Sequence, residues 1–466
     1  MKRRNFLHSL GLGSLFAGLS AIPTQAAKIR RISPANPESK QQVCSMARRI
    51  YKVGDEVKLE INATPEFIKK LFQIDIKEDD GEYKFSPSKR AKYTIADNKI
   101  TFTWKFQREG GYVVMLFYKD GEKQVQTKQK KKRTPAEYFP VYALDEDLYN
   151  LRAYKGDFHM HSRFSDGRHA ANTMGVKCLE VGFDFQALSD HRTTKGSQLL
   201  IDEFNPLPIS MRCFKGEECH KAIPHVHSIG ASQCITEYID NNKEAFEKRI
   251  EEILPTLPKD LTPLEARSVA GSEAEFEIIN KFGGLSALNH PFWRMRERNI
   301  HLTKRVVQVL CERAKFDYLE IVNSSCSDDS TDLAICALFE AKDNGKDLNI
   351  FGTSDAHNKD RLGEGYTIVF AKSNEWSDVK SSILNKKNVV VESHDKKLPR
   401  LFGKMRYMQL AYFLYQFFFP LHDAICQEQA NLLRACIKAK YSEESKQKLA
   451  KKSEEVKALY RTFWGA

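Results

Sequence analysis

Hydrophobic positions along this chain change their period twice. Between about residues 31 and 142 they alternate singly. Glu56-Val57-Lys58-Leu59-Glu60-Ile61 does so, as does Ile100-Thr101-Phe102-Thr103-Trp104-Lys105-Phe106, and the β-rich run 111–118 leads to the turn Asp120-Gly121. A period of two puts every second side chain on one face, so these runs predict strands. Short strands with turn signals and no helical period predict a small β-sandwich over residues 31–142. A charged connector is expected over 128–140.

Over residues 151–395 short apolar runs alternate with helix-length segments. Residues 184–189, 283–288, 317–322, 348–352 and 366–370 read as strands, and 244–254, 265–282 and 332–344 as helices, the second stopped by Gly283-Gly284. Such alternation predicts an α/β domain on a parallel sheet or barrel, with its chemistry at the C-terminal ends of the strands. Beyond Pro399 the period is helical again. Residues 407–421 are apolar and aromatic, but too short to span a membrane and interrupted by Pro420. They predict a helix packed on the barrel, and 442–461 a charged amphipathic helix, so 396–466 is expected to be a helical extension.

Composition changes the picture mainly at the N-terminus. The 466 residues exceed one ordinary core and predict two or three domains, and 41% hydrophobic with 29% charged residues is a globular balance. The net charge of +12 would suit nucleic acid or an anionic surface. It is spread out, however, its densest run (128–133) falls in the connector, and no basic–aromatic interleaving accompanies it, so no nucleic-acid partner is indicated. Lys2-Arg3-Arg4-Asn5-Phe6-Leu7, the small and apolar run 10–22 and Thr24-Gln25-Ala26 predict a signal peptide over 1–27. Its Arg-Arg-x-Phe-Leu pattern resembles a twin-arginine export signal, which implies a protein that folds before export and works in the periplasm or outside the cell. None of the ten cysteines falls in a Cys-x-x-Cys spacing; Cys178, Cys311 and Cys336 are expected to be buried thiols, and although others could pair in an oxidising compartment, the sequence singles out no bridge.

The candidate chemistry begins in Asp157-Phe158-His159-Met160-His161-Ser162-Arg163-Phe164-Ser165-Asp166-Gly167. On a strand His159 and His161 would face the same way, and Asp166 would add a hard oxygen at a turn where Gly167 tolerates unusual backbone angles. The pattern then recurs at successive strand ends: Ser189-Asp190-His191-Arg192, Gly216-Glu217-Glu218, His225-Val226-His227, Asn289-His290-Pro291 and Ser354-Asp355-Ala356-His357. One His-x-His is equally the mark of incidental histidines; its repetition points to metal. Imidazole and carboxylate without thiolate pairs suit zinc, manganese or iron.

Together these motifs resemble the PHP (polymerase and histidinol phosphatase) superfamily over roughly residues 155–395, and 157–167 looks most like its CehA/McbA-type metallohydrolase branch. The resemblance implies a distorted seven-stranded β/α barrel holding two or three divalent ions. It implies His159, His161, Glu218 and Asp355 on one ion, Glu218 bridging to a second held by His225 and His290, and Asp166, His191 and His357 on a third. Glu218 rather than Glu217 fills the Gly-x-Glu slot, and His225 rather than His227 has the spacing to Gly230. Many relatives carry His near the position of Asp166, which leaves the third ion open. The implied activity is hydrolysis of a small phosphomonoester or phosphodiester by water ionised at the metals. Arg192, Arg294 and Arg361 follow ligand motifs and are candidates to grip phosphate. Asp190 is a candidate to orient an imidazole or cap a helix, and Asn323 to line the site or form a turn. His169, His220 and His227 are expected to be solvated or core residues. Relatives in the branch imply an alternative, hydrolysis of a carbamate or carboxylic ester. A third reading is a carbohydrate- or surface-binding protein that works through its sandwich, which so many inward polar groups argue against.

Overall fold

The computed structural model describes residues 43–79, 87–118, 137–295, 299–300, 302–393 and 399–465. The expected signal peptide, the turn at Asp120-Gly121 and the charged run of the connector lie outside them. Residues 43–466 form one compact unit of mixed α/β architecture.

Two sheets make up the N-terminal part. One orders its strands Cys44–Ser45, Glu56–Ala63, Lys99–Lys105, Tyr93–Ala96; the other runs Ile50–Lys52, Glu137–Leu144, Gly110–Tyr118, Leu71–Glu78, Lys89–Ala91. The alternation acts as its period requires. In Glu56–Ala63 the side chains of Val57, Leu59, Ile61 and Ala63 are buried and those between them exposed. Leu59, Ile61 and Phe102 of one sheet share a core with Ile74, Val114 and Val141 of the other. The expected connector ends earlier than its charge suggested, because Glu137–Leu144 is a strand paired with Gly110–Tyr118.

Residues 152–403 hold two further large sheets and a two-stranded one, Arg294–Met295 with Asn299–Ile300. A six-stranded sheet orders Arg212–Cys213, Phe185–Gln186, Arg152–Asp157, Gly365–Ala371, Asn388–Glu392, Arg400–Gly403, and a five-stranded sheet Gly216–Cys219, Val226–Ile229, Leu285–Leu288, Tyr318–Asn323, Ile350–Thr353. The expectation of parallel pairing holds for only part of these ladders. Arg152–Asp157 pairs antiparallel with Gly365–Ala371, and Gly216–Cys219 antiparallel with Val226–Ile229. The second case has a simple cause: the link between those strands is too short for the crossover that parallel strands need.

Neither sheet closes on itself. They meet through the isolated bridges Met160↔Ala356 and His191↔Glu218, and over a core in which the Phe158 and Phe351 rings stack at 4.9 Å. Continuous ladders stop here for a local reason. Arg192, His290 and Asp355 have φ of +60°, +20° and +49°, which pleated pairing does not accommodate. The same departures turn the neighbouring polar side chains into one space.

The tail is not helical throughout, since Arg400–Gly403 extends the six-stranded sheet beside Asn388–Glu392. The helix expected over 407–421 is two helices, Met405–Phe417 and Phe419–Lys438, with Pro420 in the first turn of the second, where its missing N–H costs nothing. Glu443–Trp464 follows. These helices share a core with Ile50, Tyr142 and Leu144 of the N-terminal part, and Arg406 pairs with both Glu109 and Asp147. Among the described residues no helix is long and apolar enough to cross a membrane. All ten cysteines are unpaired; Cys178 and Cys311 are buried, but Cys336 is exposed. It faces away from the stripe Ala334, Ala337 and Ala341 that its helix buries.

Candidate metal centre

His159 and His161 lie just past the strand Arg152–Asp157 rather than within it. Their spacing still brings the rings to 5.2 Å between centroids, while Met160 between them is fully buried on the other side. Asp355 and His357 likewise lie past Ile350–Thr353, and the positive φ of Asp355 means that they are not a same-face strand pair. The two segments are clamped together. The Asp157 carboxylate accepts from the His159 amide at 3.0 Å and from the Ser354 hydroxyl at 2.5 Å, and the His161 amide donates to the Ala356 carbonyl at 3.0 Å. Gly167 is needed for close approach rather than for unusual angles: a Cβ there would sit 2.2 Å from the His161 carbonyl oxygen.

Glu218, on the strand Gly216–Cys219, is the centre of the arrangement. Its carboxylate lies 2.9 Å from His191 Nδ1, 3.1 Å from both His225 Nδ1 and His290 Nε2, 3.3 Å from His159 Nε2, 3.5 Å from His161 Nε2 and 3.8 Å from His220 Nε2. Asp355 Oδ1 stands 3.0 Å from His161 Nε2 and 3.3 Å from His159 Nε2. At the outer edge Asp166 Oδ2 lies 3.2 Å from His357 Nε2 and 3.5 Å from His191 Nε2. Ligand atoms within 4.8 Å of one another thus gather in overlapping groups, among them His161–Asp166–His191–His357, His159–His161–Glu218 and Glu218–His225–His290. Several of these buried atoms, namely His159 Nε2, His161 Nδ1, His191 Nδ1, Glu218 Oε2, His220 Nε2 and His290 Nδ1, make no hydrogen bond. Leaving so many buried polar atoms unsatisfied is costly. A divalent cation is the partner that imidazole and carboxylate atoms in this density accept.

The electrostatics agree. Burial alone would raise the Glu218 carboxyl, but the charge of His159 and the close approach of the His159, His191 and His220 rings hold it well below the usual range. Burial would lower His159, yet Asp355, Glu218 and Glu320 raise it well above the ordinary value. His191, with burial opposed by Asp166 and Glu218, is raised to about 9. The carboxylates therefore draw cationic charge into the pocket, and metal entry would displace protons from these rings.

One residue of this centre was missed from the sequence. Glu320 is buried in the strand Tyr318–Asn323. Its carboxylate is 2.8 Å from His159 Nδ1 and accepts from the His290 amide at 2.6 Å, from Asn323 Nδ2 at 3.2 Å and from the Thr353 hydroxyl. It fixes the His159 ring so that Nε2 points at Glu218 and Asp355, the usual work of a carboxylate behind a metal-binding imidazole. A lone acid inside the apolar run Tyr-Leu-Glu-Ile-Val was the available signal. Asn323 joins this framework, donating to Asp355 Oδ2 at 3.1 Å.

Other expectations need correction. Asp190 neither orients an imidazole nor caps a helix. It accepts from the Ser162 amide at 2.7 Å and from the Ser162 and Ser165 hydroxyls at 2.8 Å, holding the loop that carries Asp166. The three arginines are occupied or turned outward: Arg192 is exposed, Arg294 pairs with Asp329, and Arg361 pairs with Glu364 and the Ser324 carbonyl. Glu217 points away from the cluster and accepts from the Ile235 and Thr236 amides at 2.7 and 3.1 Å, holding the start of the helix Ile235–Asn241. His220, expected outside the site, stacks on His225 at 3.8 Å between centroids. His227 is buried, 4.1 Å from the His159 ring, and His169 meets Asn358 at 3.1 Å.

Among the described residues, five overlapping groups of His, Asp and Glu, buried or half-buried except for the exposed Asp166, could hold a metal ion. No family model matches the chain. Over 51 residues, 11% of this chain, it is 37% identical to the DNA polymerase/3'-5' exonuclease PolX of Bacillus subtilis (strain 168), and the match spans 9% of that relative's length. Among solved structures it is similar to a two-domain protein of Bacteroides vulgatus ATCC 8482 containing a predicted PHP-like metal-dependent phosphoesterase, at 18% identity and TM-score 0.41, over 57% of this chain and 71% of that one. A candidate metal-dependent phosphoesterase of Bifidobacterium adolescentis matches at 16% identity and TM-score 0.32, over 56% of this chain and 96% of that one. An amidohydrolase of Chromobacterium violaceum matches at 14% identity and TM-score 0.28, over 45% and 88%.

Proposed function

We propose that this chain is an exported, metal-dependent hydrolase of PHP type that cleaves a small phosphomonoester or phosphodiester. On this reading the two facing sheets are a distorted (β/α)7 barrel, the N-terminal sheets a β-sandwich, and residues 1–27 a twin-arginine signal. The observation that carries it is the convergence of imidazoles on Glu218 with ligand atoms left without hydrogen bonds. His159, His161, Glu218 and Asp355 would hold one ion, Glu218, His225 and His290 a second, and Asp166, His191 and His357 a third. When bound, such ions polarise the substrate's oxygens and lower the pKa of coordinated water. The chain's own residues do the rest. Glu320 aims His159, the Asp157–Ser354 clamp keeps the two ligand segments in register, and burial of His159, His161 and Glu218 excludes bulk water. Asp166 and His357, the more exposed members, mark the edge from which solvent and substrate enter.

A second reading, hydrolysis of a carbamate or carboxylic ester, draws support from the arginines. A phosphoester calls for cations on its non-bridging oxygens, and Arg294 and Arg361 are committed to Asp329 and Glu364. Metal analysis of the purified protein, with turnover of an aryl phosphate and an aryl ester, separates the two. His159→Ala and His290→Ala are expected to lose both metal and turnover; full metal content and activity in either variant would overturn that residue's role.

A further inference from the structure

A cavity of about 380 Å³ lies beside the cluster, lined by Trp293, Arg294, Ser325, Cys326, Ser327 and Asp329. Its size is that of a small-molecule site. The Trp293 ring is 5.8 Å from the His290 ring and 5.9 Å from the His225 ring, so one wall of the cavity is continuous with the ligand set. The other wall rests on the ligand segment itself: the Ser325 hydroxyl donates to the Ser354 carbonyl at 2.9 Å and to the Asp355 carbonyl at 2.8 Å.

The lining has a definite chemistry. One aromatic face stands among hydroxyls and a carboxylate–guanidinium pair, since Asp329 accepts from both Arg294 and the Ser327 hydroxyl. Arg294 and Asp329 offset each other, so these residues carry no net charge toward an occupant. A purely apolar ring would leave Ser327, Asp329 and Arg294 facing hydrocarbon, which is costly. Among the described residues a charged group would find no unmatched countercharge. An uncharged polyol ring satisfies both walls, its C–H face on the indole and its hydroxyls on the polar rim.

We propose that this cavity holds the departing half of the substrate, a sugar or related cyclic polyol, with its ring against Trp293 and its ester group reaching the cluster. The proposal rests on the phosphoester reading above. Hydrolysis then adds water across the P–O bond: phosphorus keeps the water oxygen, the departing sugar oxygen takes a proton, and the free polyol leaves through the cavity.

The test uses the metal-loaded full chain and two probes that lack a cleavable P–O bond, the phosphonomethyl analogue of a hexose phosphate and ethylphosphonate, with binding read by calorimetry. The hexose probe is expected to bind roughly 10-fold more tightly, about the worth of a ring contact with a hydrogen bond. Trp293→Ala should abolish that preference and Trp293→Phe should retain part of it. Should the alanine variant not fold, Ser327→Ala, expected to lower the preference about 3-fold, gives the same reading. Equal binding of both probes by the wild type, or a preference that survives Trp293→Ala, overturns the proposal. A Trp293-dependent preference without turnover of any phosphoester would uphold the cavity and defeat the hydrolase reading. Turnover without the preference would do the reverse.

Discussion

Among the described residues histidine is buried among carboxylates in two places, and they are built on opposite terms. At the junction of the six-stranded sheet with the C-terminal helices, His422 is fully buried between Asp184 and Asp423, each 3.0 Å from one ring nitrogen. Lys155, almost fully buried, adds its ammonium to Asp423 at 2.6 Å and its amide to Asp184 at 2.8 Å. Every ring nitrogen there has a partner. Around Glu218 the residue types are the same, yet six imidazoles crowd one carboxylate and several of their ring nitrogens make no hydrogen bond. The difference teaches that burial of a His–acid pair is not in itself the mark of a metal site. Convergence without mutual satisfaction is, because it leaves a place for a cation.

The contrast can be broken most severely at its centre. Glu218→Gln removes the carboxylate shared by all the neighbouring imidazoles. It should lower metal affinity by about 1,000-fold, beyond the ~10–100-fold that loss of an outer partner costs, as read by metal content after dialysis. His422→Ala should do the opposite. It leaves Asp184 buried and uncompensated, at a cost of about 3–5 kcal/mol in calorimetry, with metal content unchanged.

That lock also has a pH signature. Burial would lower His422, but Cys426, Asp184 and Asp423 raise it well above the ordinary value. A raised imidazole stabilises the fold fully below its unfolded pKa of about 6.5, and the stabilisation is lost as pH rises through the folded value. Melting temperatures across alkaline pH should therefore fall more steeply in the wild type than in His422→Ala.

Two smaller changes sharpen the comparison within the cluster. Glu320→Gln frees the His159 ring and should weaken metal binding by about 10–100-fold, followed by competition with a chelator. Glu217→Ala, one residue from the central acid, should leave metal binding intact. It should cost about 1–3 kcal/mol in denaturant unfolding, because two buried amides of the helix Ile235–Asn241 lose their acceptor.

What the sequence revealed follows from how local each signal is. His159, His161, His191, His290 and Asp355 stand in short motifs that state their own spacing, and strands such as Glu56–Ala63 declare themselves by alternation. Glu320 stayed hidden because its motif is spatial: its partners His159 and Thr353 are distant in sequence. Asp190 was misread because its contact with the Ser162 loop crosses from one strand end to the next. Arg294 and Arg361 followed ligand motifs, but their guanidinium groups answer to acids elsewhere, Asp329 and Glu364. The mixed strand directions and the open sheets depend on non-local pairing, which hydrophobic period does not encode.

The most direct measurement is anomalous diffraction from crystals of the protein soaked in zinc or manganese, with data taken at the metal's absorption edge. The account predicts a peak within about 2.0–2.3 Å of both the Glu218 carboxylate and at least two of the imidazoles His159, His225 and His290, and none beside His422. A map with no peak at Glu218, or one whose only peak lies at the His422 junction, would contradict it.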